Sequence, residues 1–242
     1  MIRWEARGPA AWVTFDRPEA HNAMTFEMYE ELFACCARVD GSDSVRVLVL
    51  RGAGDRAFVA GTDIRQFLAF SSGEDGLAYE RTIDRVVGRL ETVRVPTIAL
   101  VDGFAMGSGL ALAAACDLRI CTPAAVFGLP IARTVGNCLS MENYARLAAL
   151  LGEARVKDIV FTARRVAAGE ALAIGLATEV VEDAEARVLE LCAQLAEHAS
   201  TTLWATKEAL RRLRPVPDGD DLVREVYGSA EFRARVRAFL ER

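Results

Sequence analysis

Two short segments put small residues where backbone would meet a ligand. The first is Ala57-Phe58-Val59-Ala60-Gly61-Thr62-Asp63-Ile64, and the second is Asp102-Gly103-Phe104-Ala105-Met106-Gly107-Ser108-Gly109. Each follows a strand-like run and enters a turn or helix. Small side chains at 60, 61, 107, 108 and 109 let the main chain come close to a bound molecule. A helix starting after the second segment leaves unpaired N–H groups and the positive end of its dipole. Two such N–H groups on one oxygen make an oxyanion hole, in which each donor is worth about 3–4 kcal/mol to a transition state. Composition alone favours a plainer reading, that both are tight strand-to-helix turns. A dinucleotide fingerprint fails, because Leu110 and Ala111 follow Gly109 and no third glycine arrives in place.

Side-chain chemistry is sparse. Cysteines stand at 35, 36, 116, 121, 138 and 192, with no C-x-x-C pair and with both histidines distant in sequence. No metal site is expected, and the thiols read as free cysteines of a reducing compartment.

The elements that must position these segments follow from apolar patterning. Ile2–Ala6 and Ala11–Phe15 form a hairpin around Arg7-Gly8-Pro9. Residues 25–39 have helical periodicity, with Thr25 as N-cap. Val45–Leu50, Thr97–Val101 and Leu118–Cys121 are buried strands, each followed by turn residues. Residues 74–92 and 107–115 are helices. From about Ser140 helices follow one another, over 140–151, 153–161, 168–174, 184–198, 201–213 and 219–240, with Val180-Val181 the one strand-like exception and 214–219 a connector. Strand–turn–helix units followed by a helical tail indicate an α/β core of parallel strands.

Length and composition bound the rest. The 242 residues suit one large domain with its own core, and 52% apolar against 26% charged is ordinary for a globular protein. A net charge of −5 argues against nucleic acid and anionic membrane as partners. No apolar run reaches the roughly 20 residues that span a bilayer, and a cytoplasmic protein is the expectation.

Several motifs occur in order along nearly the whole chain: Arg17-Pro18-Glu19-Ala20-His21-Asn22-Ala23, Ala57–Ile64, Ala99–Asp117, Phe127-Gly128-Leu129-Pro130, and Ala168-Gly169-Glu170-Ala171 through Gly175-Leu176. Together they resemble the enoyl-CoA hydratase/isomerase (crotonase) family. The resemblance implies a spiral of ββα units over residues 1–185 and a helical C-terminal region, 186–242, that assembles homotrimers or dimers of trimers. It implies an acyl-CoA thioester as substrate, so that CoA belongs to the substrate and no separate cofactor is needed. It also implies that the N–H groups of Ala60 and Ser108 polarise the thioester carbonyl. Ala57, Gly61, Thr62, Asp63, Ile64 and Gly107 would then contact the substrate, with Arg17, Arg56 and Arg65 as candidates for its phosphates.

The chain departs from the family where the hydratases carry two glutamates that hold a water. The matching residues are Ala111 and Ile131. A positioned acid or base is commonly worth about 10²–10⁴ in rate, and neither residue supplies one. Asn137, Cys138, Ser140 and Glu142 are the nearby groups that could act, with Arg133 in the same stretch. Ser140 reads better as an N-cap. Glu142, in a first helical turn near an apolar wall of Leu129, Ile131 and Leu139, is the acid/base candidate. Asp63 and Asp117 are expected to fix turns, and His21 to be a loop residue or a neighbour of CoA. The expected activity is isomerase, lyase or atypical hydratase chemistry through a thioester enolate. The alternative is a catalytically inactive CoA-binding regulatory or scaffold subunit.

Overall fold

In the computed structural model, which describes residues 1–241, an N-terminal hairpin opens the larger of two sheets. Strands β1 (Ile2–Arg7) and β2 (Ala10–Phe15) pair antiparallel, and helix α1 (Phe26–Asp40) follows, capped by Thr25, whose Oγ1 accepts from the N–H of Met28 at 3.3 Å. A unit then repeats. One strand joins the large sheet, the next joins a small sheet, and a helix returns. It occurs as β3 (Val47–Gly52), β4 (Ala57–Val59) and α2 (Gly73–Glu91), then as β5 (Thr97–Val101), β6 (Phe104–Met106) and α3 (Ser108–Ala115). The third unit is β7 (Leu118–Cys121), β8 (Val126–Gly128) and α4 (Met141–Leu151). After it come α5 (Glu153–Thr162), β9 (Arg165–Ala167), α6 (Ala168–Ala173), β10 (Glu179–Val180) and four helices: α7 (Ala184–Glu197), α8 (Ser200–Arg212), α9 (Asp220–Gly228) and α10 (Ala230–Leu240).

The large sheet has the order β1-β2-β3-β5-β7-β10, parallel from β2 onward, and the small one has the order β4-β6-β8-β9, with β9 antiparallel. Both faces of the inner strands are covered, which is why Ala10–Val13 of β2, Val47–Leu50 of β3 and Ile98–Val101 of β5 are continuous apolar runs, whereas the edge strand β1 has no buried residue. On β2, Ala11, Val13 and Phe15 join the main core with α1, α2 and α3. Ala10 and Trp12 face the other way, against Val188, Leu191 and Cys192 of α7.

The structure departs from the expected elements in three places. The strands of the small sheet were not anticipated as strands. The predicted helix 219–240 is two helices, broken at Ser229, whose hydroxyl accepts from the N–H of Phe232 at 3.0 Å and so starts α10. The chain after residue 185 is also not all remote from the core. Helix α7 covers a sheet face, and Tyr227, Phe232 and Val236 from α9 and α10 are buried in the main core. Only α8, among these four, has no buried residue. No helix among the described residues is long and apolar enough to cross a membrane.

Candidate active site

Strands β4 and β6 are parallel neighbours, with Ala57 opposite Phe104 and Val59 opposite Ala105. Their C-terminal ends therefore lie at one edge of the small sheet. That edge brings the loop after β4 beside the turn that starts α3. Gly107 makes the turn with φ +56°, where a side chain would be strained. A cavity of about 370 Å³ opens there, lined by Ala60, Gly61, Thr62, Asp63, Ile64, Arg65, Gly107 and Ser108. Its inner wall is mostly apolar, with Phe67, Ile83, Ala111, Ile131, Val135 and Leu139, and Phe239 and Leu240 of α10 close one side.

The N–H of Ala60 is not free. It donates to the carbonyl of His21 at 3.1 Å, so Ala60 cannot present its N–H to a thioester oxygen, contrary to expectation. Two residues on, Thr62 differs. Met24 bridges to this segment, donating to the Gly61 carbonyl at 2.8 Å and accepting from the Asp63 N–H at 2.9 Å. In such a bridge the peptide groups alternate, so the Thr62 N–H turns away from Met24. Among the described residues no acceptor takes the N–H of Thr62 or that of Ser108, the first residue of α3. The side chains hold the two residues together. Thr62 Oγ1 lies 2.8 Å from the Tyr29 hydroxyl, 2.7 Å from the Tyr79 hydroxyl and 3.3 Å from Ser108 Oγ. One donated and two accepted bonds saturate a hydroxyl.

The remaining predicted contacts divide. Ile64, Asp63, Gly61 and Gly107 line the cavity, whereas Ala57 and Arg56 do not. Ala57 is buried in β4, and its carbonyl accepts from Asn22 Nδ2 at 2.7 Å. Arg17 is committed elsewhere, donating to the Ala23 carbonyl at 2.6 Å and to Asp63 Oδ2 at 3.2 Å. Arg65 also pairs with Asp63, and its side-chain hydrogen bond is the main reason that carboxyl is held at about 2. Arg65 is the exposed cation at the cavity mouth. Asp117, expected to fix a turn, instead ties distant segments together, accepting from the N–H and hydroxyl of Thr97 at the start of β5 at 2.7 and 2.9 Å and pairing with Lys207 at 2.7 Å.

At the inner end, Ser140 caps α4, accepting from the N–H of Asn143 at 3.3 Å. Its own N–H donates to Glu80 at 3.0 Å and its hydroxyl to Asp84 at 2.5 Å. Glu80 also accepts from the Tyr227 hydroxyl at 2.6 Å. Burial, with the neighbouring charge of Asp84 adding to it, pushes the Glu80 carboxyl up to about 8 against these donors, and burial pushes Asp84 up to about 6.

The family model for enoyl-CoA hydratase/isomerase matches residues 5–220. The chain belongs to the enoyl-CoA hydratase/isomerase family. It is 34% identical to the short-chain-enoyl-CoA hydratase of Clostridium acetobutylicum over 210 residues, 86% of this chain and 80% of that protein. An enoyl-CoA hydratase/carnitine racemase structure from Magnetospirillum magneticum superposes with a TM-score of 0.84 at 28% identity, covering 99% of this chain and 92% of that one. A methylmalonyl-CoA decarboxylase in complex with 2-nitronate-propionyl-CoA superposes with a TM-score of 0.90 at 25% identity, covering 99% and 95%. The mixed α/β spiral described above is the crotonase fold of these enzymes.

The inner wall of this enoyl-CoA hydratase/isomerase family member is largely apolar. Ala111 and Ile131, the two aliphatic residues that the family resemblance singled out, both line the cavity. Glu142 does not replace them. It lies outside the cavity, 45% exposed, with Arg146 4.0 Å away. In the first turn of α4 its side chain leaves the apolar wall expected around it, and Ile131 and Leu139 instead flank the cavity that Glu80 lines. Sequence reasoning missed Glu80. The available signal was a glutamate on an apolar stripe, Leu77, Glu80, Ile83, Val87, spaced as one helical face. All six cysteines are free, and no cluster of three or more metal-binding side chains occurs among the described residues.

Proposed function

We propose that this protein is an acyl-CoA enzyme that works through a thioester enolate, with isomerase or lyase chemistry, or an unusual form of hydration, rather than ordinary enoyl-CoA hydration. One observation carries the reading: the N–H groups of Thr62 and Ser108 have no acceptor among the described residues and adjoin a cavity whose two inward-facing family positions are Ala111 and Ile131. The pair can accept charge at a thioester oxygen, while nothing at 111 or 131 can activate water. The CoA group is held as part of the substrate, with Gly61, Ile64 and Gly107 against it and Arg65 toward its phosphates. The similarity to a decarboxylase bound to a propionyl-CoA analogue supports a thioester in this cavity. No separate cofactor enters this scheme, and nucleic acid and membrane are not its partners. The cytoplasm is its proposed compartment. Homotrimers, alone or paired, are its proposed assembly, supported by α8 with no buried residue and by the exposed Phe161, Leu210 and Leu213 around one apolar groove.

A second reading, a CoA-binding subunit without turnover, is favoured by the same aliphatic pair. Incubation with a panel of acyl-, 2-enoyl-, 3-enoyl- and malonyl-type CoA thioesters, followed by mass spectrometry, separates the two. Conversion of at least one thioester supports the enzyme. Tight binding with no conversion of any supports the subunit.

A further inference from the structure

The inner wall that lacks both family glutamates is not without a carboxyl group. Among the described residues that line the cavity the carboxylates are Asp63 and Glu80. Asp63 sits at the mouth and is neutralised by Arg17 and Arg65. Glu80, on α2, is 3% exposed, and no cation pairs with it among the described residues. Its two oxygens are held separately, Oε1 by the Tyr227 hydroxyl at 2.6 Å and Oε2 by the Ser140 N–H at 3.0 Å. The position of Tyr227 depends on Gly76, one turn earlier on α2, where a Cβ would stand 2.1 Å from the tyrosine ring. Asn137, on the cavity wall, donates to the same hydroxyl at 3.1 Å and keeps its own Oδ1 buried without a partner. A buried carboxyl with neutral donors and no counter-ion is costly as a purely structural device, because a neutral amide of the same shape would do.

We propose that Glu80 is the acid/base of this site, reached from a different helix than the family's usual glutamates; the proposal rests on the enolate reading above. The carboxylate takes a proton from the carbon next to the thioester carbonyl. That C–H bond breaks, an O–H bond forms on Glu80, and the electron pair moves onto the thioester oxygen, which the Thr62 and Ser108 N–H groups hold. Return of the proton to the same carbon exchanges it. With a 3-enoyl thioester, return to the far end of the double bond gives the conjugated 2-enoyl thioester. Atoms and charge balance without water, oxidant or other co-reactant. Its burial-raised titration suits the role, since such a group exchanges protons near neutral pH. The groups facing it that titrate or carry charge are Asp84 and Tyr79 on α2, Tyr227 on α9, Tyr29 on α1, and Cys138 and Tyr144 beside the start of α4.

The test measures deuterium uptake from D₂O into butyryl-CoA by mass spectrometry, and conversion of 3-hexenoyl-CoA by absorbance, across pH. The wild type should show both, with a limb that rises with pH as Glu80 loses its proton. Glu80→Gln should lower both rates by about 10²-fold or more while butyryl-CoA still binds. Tyr227→Phe, which removes a donor to the carboxylate, should move the limb to higher pH, and this variant decides the matter if Glu80→Gln does not fold. Wild-type rates in a folded Glu80→Gln, or a limb that Tyr227→Phe leaves in place, overturn the role of Glu80 and leave the enzyme reading standing. A wild type that binds butyryl-CoA but catalyses neither reaction overturns the role of Glu80, and the enzyme reading falls with it when no thioester of the wider panel is converted.

Discussion

Thr62 Oγ1 donates to Ser108 Oγ across 3.3 Å, so the two residues with free N–H groups are tied to each other through their side chains as well. Tyr29 and Tyr79 complete the bonding of that hydroxyl from α1 and α2. The N–H pair is thereby fixed before substrate arrives, which is the condition for such donors to favour a transition state.

Ser108 is the first residue of α3, where proline fits a helix and removes an N–H that has no partner, together with the hydroxyl that accepts from Thr62. Ser108→Pro should lower kcat for any thioester turned over by about 10²–10³-fold, with circular dichroism and melting little changed. Ser108→Gly keeps the donor and should stay within about threefold of wild type. Steady-state kinetics on the best substrate of the panel checks both.

Crotonyl-CoA hydration should run at least about 10²-fold below that of a hydratase of the family that carries both glutamates. The loss follows from Ala111 and Ile131 at the inner wall. Decrease of the enoyl absorbance at matched enzyme concentrations measures it, and a rate equal to that hydratase's would defeat the argument.

Glu91 receives both terminal nitrogens of Arg214 at 2.7 Å and one from Arg146 at 3.0 Å. Burial opposes its charge, but Arg214 and Arg146 hold its carboxyl at about 2. The Arg146 side chain is 3% exposed, so Glu91→Ala strands a buried guanidinium. We expect a loss of about 3–5 kcal/mol in urea unfolding, with Glu91→Gln intermediate.

Glu80 should make stability fall with rising pH. Its folded carboxyl, near 8, stays protonated where the unfolded one, near the ordinary 4.5, has already ionised. The folded state then binds more protons, so unfolding becomes easier between about pH 4.5 and 8. Asp84, pushed to about 6, adds in the same sense at the acid end of that window. Melting temperatures at pH 5, 6, 7 and 8 should decline in the wild type and decline less in Glu80→Gln, most visibly above pH 6.

The exposed apolar groove between α4, α5 and α8 should be covered by a second copy of the chain. Leu213 is 77% exposed there. Sedimentation at micromolar concentration should give a trimer or hexamer for the wild type and a smaller species for Leu213→Glu. A monomeric wild type would remove the assembly from the proposal.

The inner strands of the large sheet were legible because they are apolar runs buried on both faces, as in Val47-Leu48-Val49-Leu50. The small sheet was not. Its strands Ala57–Val59, Phe104–Met106, Val126–Gly128 and Arg165–Ala167 are three residues each, too short to show a period. The position of the second N–H donor was missed for a different reason. Ala60 and Thr62 flank Gly61 equally in sequence, and contacts from distant residues, His21 on one and Met24 beside the other, decide which N–H stays free. Ser108 needed no such partner, since a helix start frees its first donors by itself. Glu142 was misplaced because a first-turn acid can face either way, and here the apolar wall lies on the side of Glu80.

The walls of the cavity are gathered from Ala20 at one extreme to Phe239 and Leu240 at the other. Ligand binding is therefore a late event in the life of the polypeptide. A nascent chain can pair β1 with β2 and build the large sheet while one side of its pocket is still unsynthesised, because α10 comes last. The contacts that shut the pocket also join the most distant parts of the sequence, the kind that form slowly in folding. Thioester capture then reports on completion of the whole fold, and a chain stalled short of α10 would lack both a cavity wall and the core residues Phe232 and Val236, and would bind poorly.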